Sequence, residues 1–453
     1  MTKKPPKYLS TTNACKLCKP LGAALAFRGV EGAVPFLHGS QGCATYMRRY
    51  IISHFNEPID IASSSLGEKN AVYGGGPNLK LGLKNVTAKY GPQLIGIATT
   101  CLTETIGDDV VRFLAEYRRE FAAAEAPLLV HVSTPSYSGT HMEGFHAAVL
   151  ALVAQLAETG CAANGSVNLL PGFVSAADLR FLKDLLADFS LSCTLLPDFS
   201  DTLDGPALND YPLIPAGGTR IADIRRMSGA PASIEFGRTI NESLSAGRHL
   251  ELVHGVPLYR LGTPIGLREN DSLMAMLEKI SGNSMPIRHA QARGRLVDSM
   301  VDGHKYLFGK KAVVYGEEDL VAGLASFLCE IGIVPVICAS GGQSGMLEKT
   351  IREVTAGFPV EMPEVFEGAD FFDISERARK LAPDLIIGHS KGYPLARELK
   401  VPLVRVGFPI HDRMGGQRIL HLGYQGAQQL FDATVNALIA KRQDDSEIGY
   451  SYM

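Results

Sequence analysis

The chain has 453 residues, of which 46% are hydrophobic and 20% charged, and its formal net charge is −3. This length suggests about three domains of ~150 residues, and the composition is that of a folded protein. The near-neutral charge excludes a global basic field that would hold nucleic acid or an anionic bilayer. The longest uncharged apolar stretch, near Ala147–Ala157, is shorter than the ~18 residues of a membrane span. Met1–Ser10 lacks the apolar core of a secretory signal, so we expect a cytoplasmic protein with neither nucleic-acid nor membrane partners.

From about residue 90 onward, short apolar runs alternate with amphipathic stretches. The runs predict strands at Leu94–Ala98, Leu128–Val132, Val167–Leu170, Cys193–Leu196, Ala312–Tyr315, Val334–Cys338, Leu385–Ile387 and Leu403–Val406. The amphipathic stretches predict helices at Asp108–Ala124, His141–Thr159, Ala176–Phe189, Ile287–Phe308 and Glu318–Ile331. Continuous apolar strands separated by helices are typical of parallel sheets covered on both faces.

The pattern therefore predicts an α/β protein built from three units. We expect the first domain to span residues 1–160, the second, with a linking helix, residues 161–298, and the third, with a C-terminal helix, residues 299–453. In such sheets, ligands bind outside the carboxyl ends of the strands. Reactive side chains directly after a strand are thus the first candidates for a site.

Three cysteines and one serine lie after a predicted strand or at the start of a predicted helix. Cys101 follows the strand Leu94–Ala98, and Ser136 follows the strand Leu128–Val132. Cys43 ends a glycine-rich turn before a predicted helix, Ala44–Phe55, and Cys18 lies in a loop that enters another helix. A helix N-terminus stabilises the thiolate, the form that binds iron. Thiolates from separate loops that meet at one sheet edge are what an iron–sulfur cluster requires.

The residues alone leave other interpretations open. A single cysteine after a strand is often a small packed residue. The pair Cys15 and Cys18, without a second pair, is also the pattern of a zinc half-site. The other four cysteines are not part of a metal-ligand pattern. Three lie in apolar runs, namely Cys193, Cys329 and Cys338, and Cys161 follows the end of a predicted helix.

Longer motifs surround the candidate residues and help to choose between these interpretations. They are Cys18–Ala23 (CKPLGA), His38–Cys43 (HGSQGC), Thr99–Asp109 (TTCLTETIGDD) and Thr134–Ser136 (TPS). These motifs resemble the β-type subunit of nitrogenase component 1. The likeness continues through Pro197–Gly205, Arg405–Pro409 and Gly423–Gly426, so it covers essentially the whole chain. It implies three Rossmann-like α/β domains, in agreement with the pattern of strands and helices.

The resemblance also implies a ligand set. In this family the β-type subunit supplies half of the ligands of an 8Fe-7S P-type cluster (P-cluster) shared with an α-type subunit. The matching thiolates are Cys18, Cys43 and Cys101, and Ser136 matches the serine that ligates an iron when the cluster is oxidised. Cys15 is an additional thiol, which we interpret as a bystander.

The implied partners are the α-type subunit, in an α2β2 heterotetramer, and an ATP-dependent Fe protein that donates electrons. A larger iron–sulfur cofactor is expected in the α-type partner and not in this chain. Substrate chemistry would occur there, so we expect no catalytic residue in this sequence.

Two functions fit the resemblance. In one, the chain is the electron-relay subunit of a nitrogenase-like reductase, such as a methylthio-alkane reductase that cleaves carbon–sulfur bonds. In the other, it is a scaffold subunit of the NifN type, which holds a maturing iron–molybdenum cofactor. Pro197–Gly205 and Arg413–Gly416 look closer to the scaffold, whereas the complete set of three cysteines and Ser136 favours the relay. A true nitrogenase is a further possibility.

Other conspicuous residues have structural interpretations. Gly74–Pro77 superficially suggests a phosphate loop but lacks the Lys-Ser/Thr pair, so we expect no ATP hydrolysis by this chain. We expect His38 to order the adjacent turn and Glu104 to complement a helix dipole. Arg48 lies one turn past Cys43, either on a solvated helix face or facing a charged cluster.

Overall fold

The computed structural model describes residues 15–121 and 126–449. Within these ranges the strands form three separate sheets, and every paired strand runs parallel to its neighbour. The expected α/β class with parallel sheets is therefore confirmed. The predicted end of the helix Asp108–Ala124 and the residues Met1–Ser10 lie outside the described residues.

The first sheet has the order β2-β1-β3-β4. Its strands are β1 (Ala33–His38), β2 (Ala62–Ser63), β3 (Leu94–Thr99) and β4 (Leu128–Val132). The helices around it are α1 (Lys19–Arg28), α2 (Gln41–Phe55), α3 (Glu68–Tyr73), α4 (Gly76–Tyr90), α5 (Cys101–Ile106), α6 (Val110–Glu120) and α7 (His141–Leu156). All side chains of β1 and β3 are buried, as expected for strands covered on both faces.

The second sheet has the order β6-β5-β7-β8. Its strands are β5 (Ser166–Leu170), β6 (Ser192–Leu195), β7 (Ser233–Phe236) and β8 (Leu258–Leu261). Its helices are α8 (Ala176–Asp188), α9 (Ile221–Arg225), α10 (Ala246–His254), α11 (Arg268–Ser281) and α12 (Ile287–Leu307). Helix α8 begins as its sequence predicts, because Ser175 and Asp178 each bond to the other's backbone N–H.

The third sheet has the order β11-β10-β9-β12-β13. Its strands are β9 (Lys311–Gly316), β10 (Val334–Ser340), β11 (Glu364–Phe366), β12 (Leu385–Gly388) and β13 (Leu403–Arg405). Its helices are α13 (Glu318–Glu330), α14 (Leu347–Thr355), α15 (Phe371–Leu381), α16 (Tyr393–Leu399) and α17 (Gly423–Asp444). The three sheets fall within the three expected domains, and the expected boundary between residues 298 and 299 lies inside helix α12, which we interpret as a linker.

Helices α1 and α7 cross in direct backbone contact because two glycines leave room for it. A Cβ atom on Gly144 of α7 would lie 1.8 Å from the carbonyl oxygen of Lys19, and one on Gly22 of α1 would lie 1.6 Å from that of His141. All residues of α1 from Pro20 to Arg28 are buried. This crossing fixes the start of α1, and therefore Cys18, against the first sheet.

The residues that follow β13, 406–422, form a closing segment that contacts the other two domains. The backbone N–H of Ile410 donates to His54 Nδ1 (2.9 Å), and Gln417 donates to the carbonyl oxygen of Phe55 (2.8 Å). On the second domain, the N–H of His421 donates to Asp178 Oδ1 (2.7 Å). None of the helices in the described ranges combines the length and apolar character that crossing a bilayer requires.

Candidate metal centre

The ends of three neighbouring strands position three of the four predicted site residues. Strands β1, β3 and β4 are adjacent and in register, so their carboxyl ends lie side by side. Cys101 is the first residue of α5, directly after β3, and Cys43 lies in the first turn of α2, after β1. The helix with Cys43 begins at Gln41, three residues earlier than its sequence predicts. Ser136 starts a short 3₁₀ helix after β4.

The fourth residue, Cys18, is joined to this edge by hydrogen bonds. It precedes α1, and the backbone N–H of the next residue, Lys19, donates to Ser136 Oγ at 3.2 Å. The backbone N–H of Ser136 in turn donates to Cys101 Sγ at 3.2 Å. The structure therefore brings Cys18, Ser136 and Cys101 together, although they are far apart in sequence.

The causes of the pKa shift of Cys18 also show that it lies near the other candidate residues. Burial raises the pKa of the Cys18 thiol; a hydrogen bond with Ser136 opposes this, and the proximity of Cys101 and Cys43 raises it further. Like charges at short range disfavour each other's ionisation, so the neighbouring thiols of Cys101 and Cys43 disfavour ionisation of the Cys18 thiol. All four side chains are half-buried, at the surface of the domain and not within its core.

Two of the sulfurs lie at the start of a helix and accept a hydrogen bond. Cys43 and Cys101 lie in the first turns of their helices, where unpaired N–H groups create a positive end. Ser40 Oγ donates to Cys43 Sγ at 3.4 Å. Together with the N–H of Ser136, it supplies the kind of hydrogen bond to sulfur that tunes the potential of an iron–sulfur cluster.

The donor set fits a cluster of several irons better than a single ion. Among the described residues, no group of three or more His, Cys, Asp or Glu side chains is arranged to hold one metal ion. Thiols at the ends of separate strands instead match a cluster in which each thiolate binds a different iron. The half-buried position of the three sulfurs leaves them accessible from the surface of the chain.

Cys15 belongs to a different environment. Its side chain is 4% exposed and packs in the core of the third sheet, with Sγ 3.7 Å from His389 Nε2. Burial raises the pKa of this thiol to about 12, and the nearby Glu317 adds to the effect. The thiol is therefore neutral at physiological pH.

His38 and Glu104 stabilise the carboxyl-end edge of the first sheet. His38 is fully buried and bonds to Ser64 Oγ (2.9 Å) and Asp108 Oδ2 (3.0 Å), so it orders the adjacent turn as expected. Glu104 accepts hydrogen bonds from Thr99 and Ser133 and thereby ties the end of β3 to the end of β4. This bridging role of Glu104 was not predicted, because nothing in the local sequence indicates which strand lies beside β3.

Arg48 and the glycine-rich segment have the structural roles that the sequence allowed. Arg48 Nε donates to the carbonyl oxygen of Ile59 at 2.9 Å, and its guanidinium lies near Asp60. Gly75 donates its N–H to Asp108, and α4 begins beside it with Pro77 in its first turn. Through these contacts, Arg48 and the glycine-rich segment stabilise the structure of the first domain.

Comparison with known proteins identifies the family. The family described as nitrogenase component 1 type oxidoreductase matches residues 18–439. The chain belongs to this family. It is a β-type subunit, because its relatives over nearly the whole length are nitrogenase β chains.

Two such relatives illustrate the similarity to other nitrogenase component 1 β chains. The molybdenum-iron protein beta chain of Clostridium pasteurianum is 35% identical over 429 residues, which cover 95% of this chain and 93% of the relative. The vanadium-iron protein beta chain of Trichormus variabilis is 36% identical, with 93% of each chain covered. A solved structure, nitrogenase Cp1 at pH 6.5, superimposes with a TM-score of 0.95 at 34% identity, covering 100% of this chain and 98% of that one. The nitrogenase component 1 fold expected from the sequence is thus confirmed.

Proposed function

We propose that this chain is the electron-relay β-type subunit of a nitrogenase-like reductase. The convergence of Cys18, Cys43, Cys101 and Ser136 at one half-exposed sheet edge carries this proposal. These residues would hold half of an 8Fe-7S P-type cluster, and the α-type subunit would supply the other half. The cluster, when bound, supplies one-electron transfer between the Fe protein and the partner's larger iron–sulfur cofactor.

The chain's own residues would hold and tune this cluster. The three thiolates bind iron, and the donors on Cys43 and Cys101 stabilise their negative charge. Ser136 Oγ accepts a hydrogen bond from the N–H of Lys19, so its oxygen is already directed toward the loop that carries Cys18. Ser136 is therefore suited to act as the additional ligand that the family resemblance implies.

The surface beside the thiols supports a shared cluster. Tyr46 is 50% exposed and Tyr137 is 67% exposed, and they follow Cys43 and Ser136 closely in sequence. Exposed aromatic side chains are enriched at protein interfaces. We propose that the α-type subunit covers this face in an α2β2 heterotetramer, that an ATP-dependent Fe protein delivers the electrons, and that the complex works in the cytoplasm.

We propose reduction of a carbon–sulfur bond in a small alkyl thioether as the reaction at the partner's cofactor. The resemblance to methylthio-alkane reductases supports it, and dinitrogen is the competing substrate. The alternative function is a cofactor-assembly scaffold, suggested by Pro197–Gly205 and Arg413–Gly416. Asp204 in the first of these segments accepts hydrogen bonds from Gln417 and Arg418. This contact gives the first segment a structural role in joining the second and third domains.

One experiment separates the two functions. The chain is co-purified anaerobically with its α-type partner and assayed with Fe protein, ATP and reductant on a methylthio-alkane and on dinitrogen. A relay subunit supports ATP-dependent turnover, with an EPR signal from this chain's cluster that changes with potential. A complex that reduces neither compound but transfers a cofactor to an apo-protein would overturn the relay and establish the scaffold.

A further inference from the structure

Two of the three residues before Cys18, Cys15 and Lys16, are bound by loops of the third sheet, although Cys18 itself lies at the edge of the first sheet. The N–H of Cys15 donates to the carbonyl oxygen of Ala369 at 3.0 Å, after β11. Lys391 Nζ, after β12, donates to the carbonyl oxygen of Lys16 at 3.2 Å. Residues 15–17 therefore occupy the carboxyl-end edge of the third sheet, the place where α/β sheets usually bind a ligand.

A buried histidine and glutamate hold the last of these residues. The N–H of Leu17 donates to His141 Nδ1 (3.4 Å), and the N–H of His141 donates to the carbonyl oxygen of Leu17 (3.0 Å). Because Nδ1 accepts, the ring proton is on Nε2, which lies 2.9 Å from Glu317 Oε1. The carboxylate of Glu317, directly after β9, thus fixes the tautomer and the orientation of the ring that binds Leu17.

Cys15 and Lys16 border a cavity. A cavity of about 260 Å³ lies beside them, and its lining includes Cys15, Lys16, His141 and Glu317. The segment has space to move on that side when its hydrogen bonds are removed. Displacement of Leu17 would displace the next residue, Cys18.

We propose that Glu317 and His141 are a positioning pair that sets the place of the Cys18 sulfur. Glu317 orients His141, His141 holds the backbone of Leu17, and the third domain thereby controls a ligand of the first domain's cluster. The role of Cys18 as an iron ligand rests on the proposed function, whereas its placement by the pair is a property of this chain alone.

The first test needs no metal. In the cluster-free full-length chain, the rate at which iodoacetamide alkylates Cys18 is measured by peptide mass spectrometry. We expect Glu317→Ala to raise this rate about tenfold, the scale of one lost hydrogen bond to a charged group. Glu317→Gln keeps an oxygen that accepts from His141 Nε2, so we expect its rate to stay within about twofold of the wild type.

The second test uses the complex with the α-type partner. The midpoint potential of the cluster is followed by EPR in a redox titration. We expect Glu317→Ala to shift it and Glu317→Gln to leave it unchanged. The control is Asp188→Ala, which removes a similar pair, Asp188 and His289 at 2.7 Å, in the second domain; we expect wild-type alkylation and potential.

Each outcome decides the question. Wild-type alkylation of Cys18 in Glu317→Ala overturns the proposal, and so does an equal change in Glu317→Gln, which would indicate charge instead of orientation. If Glu317→Ala does not fold, His141→Leu, which removes the acceptor of the Leu17 N–H, replaces it, with an expected rise of about tenfold; no rise overturns the proposal. If the wild-type complex binds no iron, the proposed function fails, while the alkylation rates still decide the role of the pair.

Discussion

Replacement of Gly144 by alanine tests how strictly the crossing of α1 and α7 places Cys18. The new Cβ atom would lie 1.8 Å from the carbonyl oxygen of Lys19, whereas real Cβ contacts are essentially never below 3.0 Å. The two helices must therefore separate by at least 1.2 Å, the difference between these distances. Overpacking of this kind costs about 3 kcal/mol, and the better helix propensity of alanine returns up to about 1 kcal/mol.

We therefore expect Gly144→Ala to lower the free energy of unfolding by about 2 kcal/mol. The same shift would break the hydrogen bond between Lys19 and Ser136, so we also expect loss of iron from the complex. The chain contains no tryptophan, so urea unfolding is followed by far-UV circular dichroism.

The matched control is Gly294→Ala in α12, where an added Cβ meets nothing within 4 Å. Alanine there should stabilise the helix by about 0.5–1 kcal/mol. A Gly144→Ala chain that unfolds at the wild-type urea concentration and retains its iron would refute the argument that this crossing positions Cys18.

Three further predictions concern the thiols, the serine and one buried carboxyl. Cys43→Ala or Cys101→Ala should remove iron and weaken the contact with the α-type subunit, as measured by metal analysis of the anaerobically purified complex. Ser136→Ala should retain iron but alter the EPR spectrum of the oxidised cluster. Burial raises the pKa of Glu318 from 4.5 to about 7. The folded state therefore holds an extra proton between these values, so stability falls by up to about 3 kcal/mol as pH rises through that window. Glu318→Gln should reduce this dependence in urea unfolding at pH 5 and pH 8, and the part that remains should come from Glu330, whose pKa burial also raises to about 7.

Each of these predictions can be contradicted by a specific result, and the thiol substitutions have a control variant. Cys193→Ala changes a half-buried cysteine of β6 outside the candidate site and should leave the iron content unchanged. Equal iron in Cys101→Ala and Cys193→Ala would contradict the ligand assignment. Complete loss of iron in Ser136→Ala would show that the serine is needed for assembly. A pH dependence in Glu318→Gln as large as that of the wild type would show that Glu318 does not contribute to it.

Much of the fold was predictable because buried parallel strands form continuous apolar runs. Leu94–Thr99 and Leu385–Gly388 are examples, and the structure places both within one or two residues of the predicted bounds. Strand β7 was missed because Glu235 interrupts its apolar run. The fold satisfies this buried carboxylate with Ser245, Gly247 and Arg260, all distant in sequence from the strand.

The site was predictable to the extent that strand ends are predictable. Cys101 and Ser136 follow β3 and β4, and the topology of a parallel sheet brings such positions together. The connection of Cys18 to Ser136 through Lys19 depends on the crossing of α1 and α7, which no local pattern indicates. The same is true of the contacts that hold residues 15–17, because their partners, His141 and Lys391, lie more than 120 residues away in the chain.

The closing segment, residues 406–422, has a consequence for biosynthesis. It provides partners for His54 and Phe55 in the first domain and for Asp178 in the second, yet it leaves the ribosome more than 200 residues after them. Nascent domains generally fold in order from the N-terminus. The first two domains are therefore synthesised before His54 and Phe55 can bond to this segment, so a product that ends before residue 406 would be a ready substrate for proteolysis.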